Sequence, residues 1–261
     1  MGGYGGLVPP YAGGAGGRPP ASNTVTVTYS RDERLALAAL LDQTGPDAPT
    51  LCAGWQTRDL AAHVVLRERR PDAGVGLLGG PLAGYTARLQ RQYLDRYSYP
   101  ELIERFKDGP PRLSPFAIGR FDETVNTVEY FVHHEDVRRA AEGWAERELP
   151  AGLSDELWKR LKGSRLFLRS APTGIAFARA DASAGVANSG VANSGVAGTG
   201  VAGTGVAGTA TAIIGKNATP SVTVTGTPAE LTLWSMGRVT AAHVELSGPD
   251  EAVARLSAWR Q

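Results

Sequence analysis

Apolar residues recur at the three- and four-residue spacing of an amphipathic helix from residue 31 to about residue 170. Breaks rich in proline and glycine, such as "GPDAPT" and "DGPPRLSP", separate the periodic stretches. We expect about four of the resulting helices to pack as a helical bundle. The predicted helices span residues 31–44, 57–70, 84–97, 99–108, 122–141 and 154–170.

The period of the apolar residues changes after the last of these helices. "GIAFARA", "TATAIIG", "SVTVTG" and "HVELSG" are typical of short β-strands, whereas "TPAELTLWSMGR" and "PDEAVARLSAW" have helical spacing. The first of these two helices is expected to begin at Thr227 as N-cap, followed by Pro228 and by Glu230 at the third position. The chain is therefore predicted to be an α+β protein, with a helical bundle over residues 29–172 and a smaller α+β domain over residues 173–261.

Two glycine-rich segments depart from this organisation. Residues 1–28 lack a basic stretch followed by an apolar core, so they are predicted to be a disordered tail and not a signal peptide. Residues 185–209 contain five copies of a five-residue unit, "GVANS" or "GVAGT". Because valine is the only large side chain in the unit, we expect a flexible insert in the α+β domain. The alternative is an interaction loop, which would make the protein a scaffold.

The composition excludes several classes of function. There are 27 Lys and Arg residues against 26 Asp and Glu residues, with no basic stripe interleaved with aromatics, so we expect no nucleic-acid partner. No apolar run approaches the roughly 20 residues of a membrane span, so we expect no membrane partner. The lone cysteine, Cys52, cannot form an intramolecular disulfide and suits the reducing cytoplasm.

The stretch "NTVEYFVHHEDVRRA" carries the candidate chemistry. At about 100° per residue, Glu129, His133 and Asp136 share one helix face with valines, and that face is expected to be buried. Burying such groups costs several kcal/mol unless they are paired or bind a metal. Phe131 lies on the other side of the helix, which implies that a second element packs there. The residues predicted to face water are His134, Glu135 and Arg138.

A metal site is one way to neutralise this face. Glu129 and His133 are four residues apart, so their side chains meet on the helix and can hold one ion. His63, in "DLAAHVVLRERR", shares a helix face with leucines and is the candidate third ligand. One carboxylate and two neutral imidazoles suit zinc or a similar divalent metal, with a coordination position left open. Asp136 is placed to orient one of the ligands.

A purely structural network is the alternative. Glu129 and His133 could pair with each other or with arginines such as Arg67 and Arg70, because Glu-x-x-x-His is a weak pattern. The metalloprotease motif His-Glu-x-x-His, the nucleophile elbow and the phosphate loop are all absent. Cys52, in "TLCAGW", is a candidate nucleophile, but we expect it to be a small buried apolar residue, with its neighbour Trp55 in the core.

Three stretches carry a resemblance to a known family: "APTLCAGWQTRDLAAHVVLRERRPDA", "NTVEYFVHHEDVRRA" and "SVTVTGTPAELTLWSMGR". Together they resemble an actinobacterial family of uncharacterised metal-binding proteins. That family is related to mycothiol-dependent maleylpyruvate isomerase and, more distantly, to the DinB-like bundle superfamily. The resemblance runs from about residue 29 to the C-terminus and leaves out the tail and the repeat.

The resemblance implies a set of functional residues. In the isomerase-like group, a histidine on the second helix and a Glu-x-x-x-His pair on a later helix bind the metal, and these positions fall on His63, Glu129 and His133. A DinB-like four-helix bundle would hold zinc, with mycothiol as the thiol that binds it and a sterol-carrier-like domain alongside. Arg238, in "WSMGR", would be a catalytic arginine that holds a substrate carboxylate.

Two functional hypotheses follow. The first is a zinc-binding protein that acts as a mycothiol-dependent isomerase or thiol S-transferase on a small electrophilic substrate. The second is a non-catalytic metal-binding module whose site is structural or vestigial. A polar pocket that reaches the metal and contains Arg238 favours the first hypothesis, whereas a metal sealed by four protein ligands favours the second.

Overall fold

Eight α-helices and four β-strands make up the part of the chain that the structure, a computed structural model, describes. That part comprises residues 28–70, 72, 83–111, 119–180, 210–213 and 220–260. The repeat 185–209 and all but the last residue of the predicted tail lie outside it. The helices are α1 Tyr29–Thr44, α2 Thr57–Arg69, α3 Ala83–Arg96, α4 Tyr99–Asp108, α5 Gly119–Arg138, α6 Ala151–Arg160, α7 Pro228–Ser235 and α8 Asp250–Arg260. The strands are β1 Gly174–Arg179, β2 Ala210–Ile213, β3 Pro220–Gly226 and β4 Glu245–Ser247.

Local signals fix several of the helix ends. At the start of α4, the Ser98 N–H donates to Glu101 Oε2 at 2.8 Å, which satisfies a backbone group that the helix leaves unpaired. At the start of α7, the Thr227 hydroxyl accepts from the Glu230 N–H at 3.3 Å, as the sequence predicted. The predicted helix 154–170 differs: α6 ends early and continues as a 3-10 helix, in a stretch that contains a glycine. None of the helices in the described parts of the chain has the length and apolarity that crossing a membrane requires.

One hydrophobic core joins α1, α2, α4 and α5, and α3 packs on α2. Its largest members are fully buried aliphatic and aromatic side chains that recur every three or four residues, as the periodicity predicted. Leu37 and Leu41 come from α1, Leu60 and Val64 from α2, Leu102, Ile103 and Phe106 from α4, and Tyr130 and Val137 from α5. The predicted helical packing of the N-terminal part is thus confirmed.

The C-terminal part is a four-stranded sheet covered by α7 and α8. The strand order is β2-β1-β3-β4, with β1 and β3 parallel and both outer pairs antiparallel. Ile175 and Phe177 on β1 lie in register with Val222 and Val224 on β3. Because alternate residues face the same side, these four side chains form one apolar face, which packs on residues of α7 and α8 such as Trp234 and Leu256. The predicted α+β organisation is therefore present.

A second hydrophobic cluster joins the two parts. Phe131 on α5 packs with Leu153 and Leu157 on α6 and with Leu233 on α7. This cluster is the second packing partner that the position of Phe131 implied.

The prediction that His134, Glu135 and Arg138 face water is wrong for the first two and holds only in part for the third. His134 and Glu135 are 7% and 1% exposed, because α5 packs on both sides. His134 Nδ1 lies 3.3 Å from Glu33 Oε2 on α1. Glu135 accepts from Arg139 at 2.7 Å and from the half-buried Arg138 at 3.0 Å. Buried charges are thus paired, as the cost of desolvation requires.

Candidate metal centre

The three predicted ligands meet between α2 and α5, and we call them the α2–α5 cluster: His63, Glu129 and His133. His63 lies in the middle of α2, whereas Glu129 and His133 are one turn apart on α5. The two histidines are 6% and 7% exposed. Their rings meet edge to face with centroids 5.1 Å apart. Two helices that share the bundle core therefore bring together residues that are far apart in sequence.

One carboxylate oxygen is the meeting point of the cluster. Glu129 Oε1 lies 3.4 Å from His63 Nε2 and 3.2 Å from His133 Nε2. All three ligand atoms lie within 4.8 Å of one another. In a tetrahedral zinc site with bonds of roughly 2.0–2.1 Å, neighbouring ligand atoms are about 3.3–3.5 Å apart. The two distances to Glu129 Oε1 therefore match those between zinc ligands, and the donor types suit zinc.

The same oxygen also has a cationic neighbour. Arg67 Nε, on α2, lies 3.2 Å from Glu129 Oε1, and its guanidinium donates to Asn126 as well. The predicted alternative of pairing with arginines is thus confirmed for Arg67. It is wrong for Arg70, which pairs with Asp72 at 2.8 Å. A cation bound to Glu129 would share this carboxylate with Arg67 or displace it.

Burial and charge shift the pKa values of the two imidazoles in opposite directions, so that His63 is neutral and His133 is protonated. Burial lowers the pKa of His63, which keeps it neutral at neutral pH. Burial also acts to lower the pKa of His133, but hydrogen bonds, first among them the one to Asp136, raise it well above its ordinary value. Burial acts to raise the pKa of Glu129, but the positive charge of Arg67 and the histidine hydrogen bonds hold it well below its ordinary value. A divalent ion must therefore displace one proton, from His133.

Asp136 lies behind His133, where the sequence predicted an orienting residue. Its Oδ2 is 2.9 Å from His133 Nδ1, so that the opposite nitrogen, Nε2, is directed at Glu129. Asp136 is fully buried. Burial acts to raise its pKa, but the hydrogen bonds from Arg238 and His133 hold the pKa below its ordinary value. Asp136 is therefore a carboxylate that accepts the Nδ1–H of His133.

Arg238, the predicted catalytic arginine, follows α7 and reaches this carboxylate. Its Nε donates to Asp136 Oδ1 at 2.8 Å and its Nη2 to Asp136 Oδ2 at 2.7 Å. Its Nη1 donates to the Met236 carbonyl at 2.7 Å. The two-nitrogen edge that was expected to hold a substrate carboxylate thus holds a carboxylate of the protein. The structure brings Arg238 to the site, but as a partner of Asp136.

Cys52 is not the buried apolar residue that we expected. It is half-buried, its Sγ donates to Asp136 Oδ2 at 3.2 Å, and Arg238 Nη2 lies 3.6 Å away. The reason is the turn before α2, which is tied to the end of α5 by a 2.9 Å hydrogen bond from the Leu51 N–H to the Asp136 carbonyl. This contact joins residues far apart in the chain, so local sequence could not reveal it.

A pocket of about 260 Å³ opens beside Cys52 and Arg238. Residues 51–53 form one wall, and Gly237, Thr240 and Ala241 form the other. The α2–α5 cluster is not part of this lining, and Asp136 links two of the lining residues, Cys52 and Arg238, to His133.

Trp55 packs on His63 of the α2–α5 cluster, a contact that sequence reasoning missed. Its ring centroid lies 5.0 Å from that of His63, with the rings inclined at 53°. It also packs against the helical core, as expected. The available signal was its position immediately before the helix that carries His63.

Two other groups of ligand-type side chains come equally close in the described part of the chain. One is Cys52, His133 and Asp136, and the other, which we call the junction cluster, is Glu146, Glu230 and His243. In the first group, Arg238 already neutralises the carboxylate. In the junction cluster, Arg139 donates to both oxygens of Glu230, at 2.6 and 2.9 Å. An arginine thus competes with a metal for a carboxylate in each.

Comparison with known proteins supports the resemblance for the N-terminal part. Residues 27–115 match the family model of the mycothiol maleylpyruvate isomerase N-terminal domain. The match includes α1 to α4 and therefore His63, whereas Glu129, His133 and Arg238 lie beyond it. The resemblance inferred from the sequence is thus confirmed over these residues. No curated protein and no solved structure matches the chain.

Proposed function

We propose that this protein binds a divalent metal, with zinc as the best fit, through His63, Glu129 and His133. The observation that carries the proposal is the spacing around Glu129 Oε1, 3.4 and 3.2 Å from the two Nε2 atoms. Two imidazoles and one carboxylate are the ligand set of open zinc sites, which keep a position for water or another ligand. The position of Asp136 behind His133 agrees, because such acceptors commonly orient metal-bound histidines.

The matched family names the chemistry that this site would serve. We propose that a low-molecular-weight thiol, mycothiol, is the partner and that the protein is an isomerase or thiol S-transferase. A divalent metal at this site would lower the pKa of a coordinated thiol, so that the thiolate persists at neutral pH. A persistent thiolate is the nucleophile that an isomerase or thiol S-transferase acting on a small electrophilic substrate would need.

The chain's own residues would have separate tasks in this reaction. His63, Glu129 and His133 would hold the metal, and Trp55 would shield the cluster from water on the side of His63. The pocket beside Cys52 and Arg238 is a candidate entrance for the thiol or the substrate. Arg238 would line this pocket with its charge paired to Asp136.

Further features of the proposal rest on the resemblance. The α1, α2, α4 and α5 packing would be a DinB-like four-helix bundle, and the sheet with α7 and α8 would be a sterol-carrier-like domain. The protein would work in the cytoplasm, where the lone cysteine stays reduced.

A non-catalytic metal-binding module is the second candidate. Two observations favour it: the lining of the pocket does not include the α2–α5 cluster, and Asp136 occupies the edge of Arg238 that a substrate carboxylate would use. In this case the metal would stabilise the bundle and no thiol would bind.

Elemental analysis of purified protein tests the metal site. We expect close to one zinc per chain in the wild type and in His243→Ala, and a large loss in His63→Ala and Glu129→Ala. His243→Ala is the matched control, because it removes an imidazole from the junction cluster. Equal metal in all four proteins would contradict the assignment, and loss only in His243→Ala would move the site to the junction.

Calorimetry with mycothiol separates the two candidates. Zinc-loaded wild type should bind the thiol, and metal-free protein or Glu129→Ala should bind it much less. Absence of binding to the zinc-loaded protein would leave the non-catalytic module.

A further inference from the structure

The Asp136 carboxylate connects the C-terminal part of the chain to the candidate metal ligands. It receives Arg238 on both oxygens, at 2.8 and 2.7 Å, and His133 Nδ1 on Oδ2 at 2.9 Å. The Cys52 Sγ also donates to Oδ2, at 3.2 Å. We propose that Arg238 is a positioning residue, which acts through Asp136 to hold His133 so that Nε2 points at His63 and Glu129.

This inference rests on the proposed metal site but changes the role expected of Arg238. An arginine that binds a substrate carboxylate needs its bidentate edge free, whereas Asp136 occupies the Nε and Nη2 edge of Arg238 and the Met236 carbonyl accepts from Nη1. A bidentate guanidinium–carboxylate pair fixes both groups in one plane. Asp136 therefore cannot rotate without breaking two charge-assisted hydrogen bonds, and His133 inherits that fixed direction.

The backbone around Arg238 fixes its position beside Asp136. The Arg238 N–H donates to the Leu233 carbonyl of α7 at 2.9 Å, and Gly237 before it has φ 90°, a conformation that favours glycine. The side chain then bonds to the Met236 carbonyl at 2.7 Å. The end of α7 is thus a fixed support for a ligand on α5, and the bundle alone would lack it.

Loss of Arg238 should weaken metal binding without removing a ligand. Asp136 would be left buried with only His133 and Cys52 as partners, and it would turn to find others. Partners of metal-bound histidines change metal affinity by about 10–100-fold. We therefore expect Arg238→Gln to bind zinc about tenfold more weakly, with Arg238→Lys between it and the wild type, because one ammonium can reach one oxygen.

The experiment measures zinc affinity by competition with a chromophoric chelator and the absorption spectrum of the cobalt(II) form. Arg147→Gln is the matched control, because Arg147 and Arg238 have similar side-chain exposure, 21% and 19%, and Arg147 pairs with Glu33 and Glu135, neither of which is a candidate ligand. Arg238→Gln should change both the affinity and the cobalt spectrum, whereas Arg147→Gln should change neither. A cobalt spectrum that is the same in Arg238→Gln and the wild type would overturn the proposal.

A double-mutant cycle tests whether Arg238 acts through Asp136. In an Asp136→Asn background, Arg238→Gln should have little further effect on zinc affinity, because both substitutions remove the same support. Additive losses would overturn the proposal.

Nitrogen NMR of His133 in the metal-free protein keeps this test separate from that of the proposed function. The Nδ1–H signal should shift in Arg238→Gln and not in Arg147→Gln. If the wild type binds no zinc but this shift occurs, the metal function fails and the positioning role stands. If the wild type binds zinc and the signal does not move, only the positioning role fails.

Discussion

The α2–α5 cluster and the junction cluster hold the same kinds of ligand at the same range of distances but differ in their surroundings. The ligand atoms of each cluster lie within 4.8 Å of one another. In the α2–α5 cluster both histidines are buried and both Nε2 atoms face one carboxylate oxygen. In the junction cluster, the side chains of His243 and Glu146 are 62% and 46% exposed.

The carboxylate that the junction cluster does bury is already neutralised. Arg139 donates to both oxygens of Glu230, and the His243 backbone N–H donates to one of them at 2.7 Å. Arg139 in turn lies 4.4 Å from the centre of the Trp144 ring, which stacks on His243. These contacts tie α5 to α7. The junction cluster is thus built to join two parts of the chain.

The difference teaches that proximity of ligand atoms does not by itself define a metal site. In the α2–α5 cluster two imidazoles face one carboxylate oxygen, the arrangement of a candidate cation site, whereas the Glu230 carboxylate is already held by a bidentate arginine. An arginine, Arg67, also lies beside the α2–α5 cluster, but its Nε contact to Glu129 Oε1 is longer, at 3.2 Å. Perturbing each cluster should therefore affect a different property of the protein.

Glu230→Gln should give the largest loss of stability. It removes one of the two carboxylates paired with Arg139, whose side chain is 1% exposed, and leaves only Glu135, which other arginines share. Breaking a buried pair in this way costs about 3 kcal/mol or more in the free energy of unfolding. Urea denaturation of metal-free protein measures this cost, with Glu251→Gln, whose side chain is 85% exposed, as the control. Zinc content should stay at the wild-type level, and a loss of zinc with unchanged stability would reverse the roles of the two clusters.

Zinc should stabilise the protein through the α2–α5 cluster alone. At free zinc of about 100 times the dissociation constant, the expected gain is about 2.7 kcal/mol. Thermal unfolding with and without zinc should reveal this gain in the wild type and in His243→Ala. Glu129→Gln, which keeps the shape of the side chain but removes its charge, should lose it. If zinc still stabilised Glu129→Gln, the α2–α5 cluster would not be the site through which zinc acts.

Zinc affinity should rise with pH. The pKa of His133 is raised well above its ordinary value, so below that pKa zinc must displace a proton from the imidazole. The affinity should then increase about tenfold per pH unit, which is about 1.4 kcal/mol, and level off once His133 is neutral without the metal. Glu129 adds no slope near neutral pH because its pKa is well below its ordinary value. Chelator competition between pH 6 and 8 measures this slope, and a flat profile would show that no proton is displaced.

Local sequence was sufficient for most of the secondary structure. The predicted helices 57–70 and 99–108 match Thr57–Arg69 and Tyr99–Asp108, because periodicity and capping residues act within a few positions. The convergence of His63 with Glu129 and His133 followed from the helix faces and the resemblance together. Those faces were readable because each ligand lies among apolar residues of its own helix.

The sequence could not reveal which partners these residues acquire. Arg238 and Cys52 are separated by 186 positions and meet only because α7 and the turn before α2 both reach the end of α5. The same convergence places Arg238 against the carboxylate of Asp136. His134 was assigned to water because the side of α5 opposite the apolar face was taken to be exposed. That side also packs against other elements, so it is buried.

Glu146→Gln should have a smaller effect than Glu230→Gln or Glu129→Gln. Its partner, His243 Nδ1, is 2.5 Å away, but both side chains are more than a third exposed, and such surface pairs contribute about 0–1 kcal/mol. Glu104→Gln is a matched control, since Glu104 forms another surface pair, with Lys107 at 2.7 Å. Urea denaturation should place both variants within about 1 kcal/mol of the wild type. If Glu146→Gln instead cost as much as Glu230→Gln, the exposed pair of Glu146 and His243 would be coupled to the buried Glu230. The junction cluster would then have to be reconsidered as a metal site.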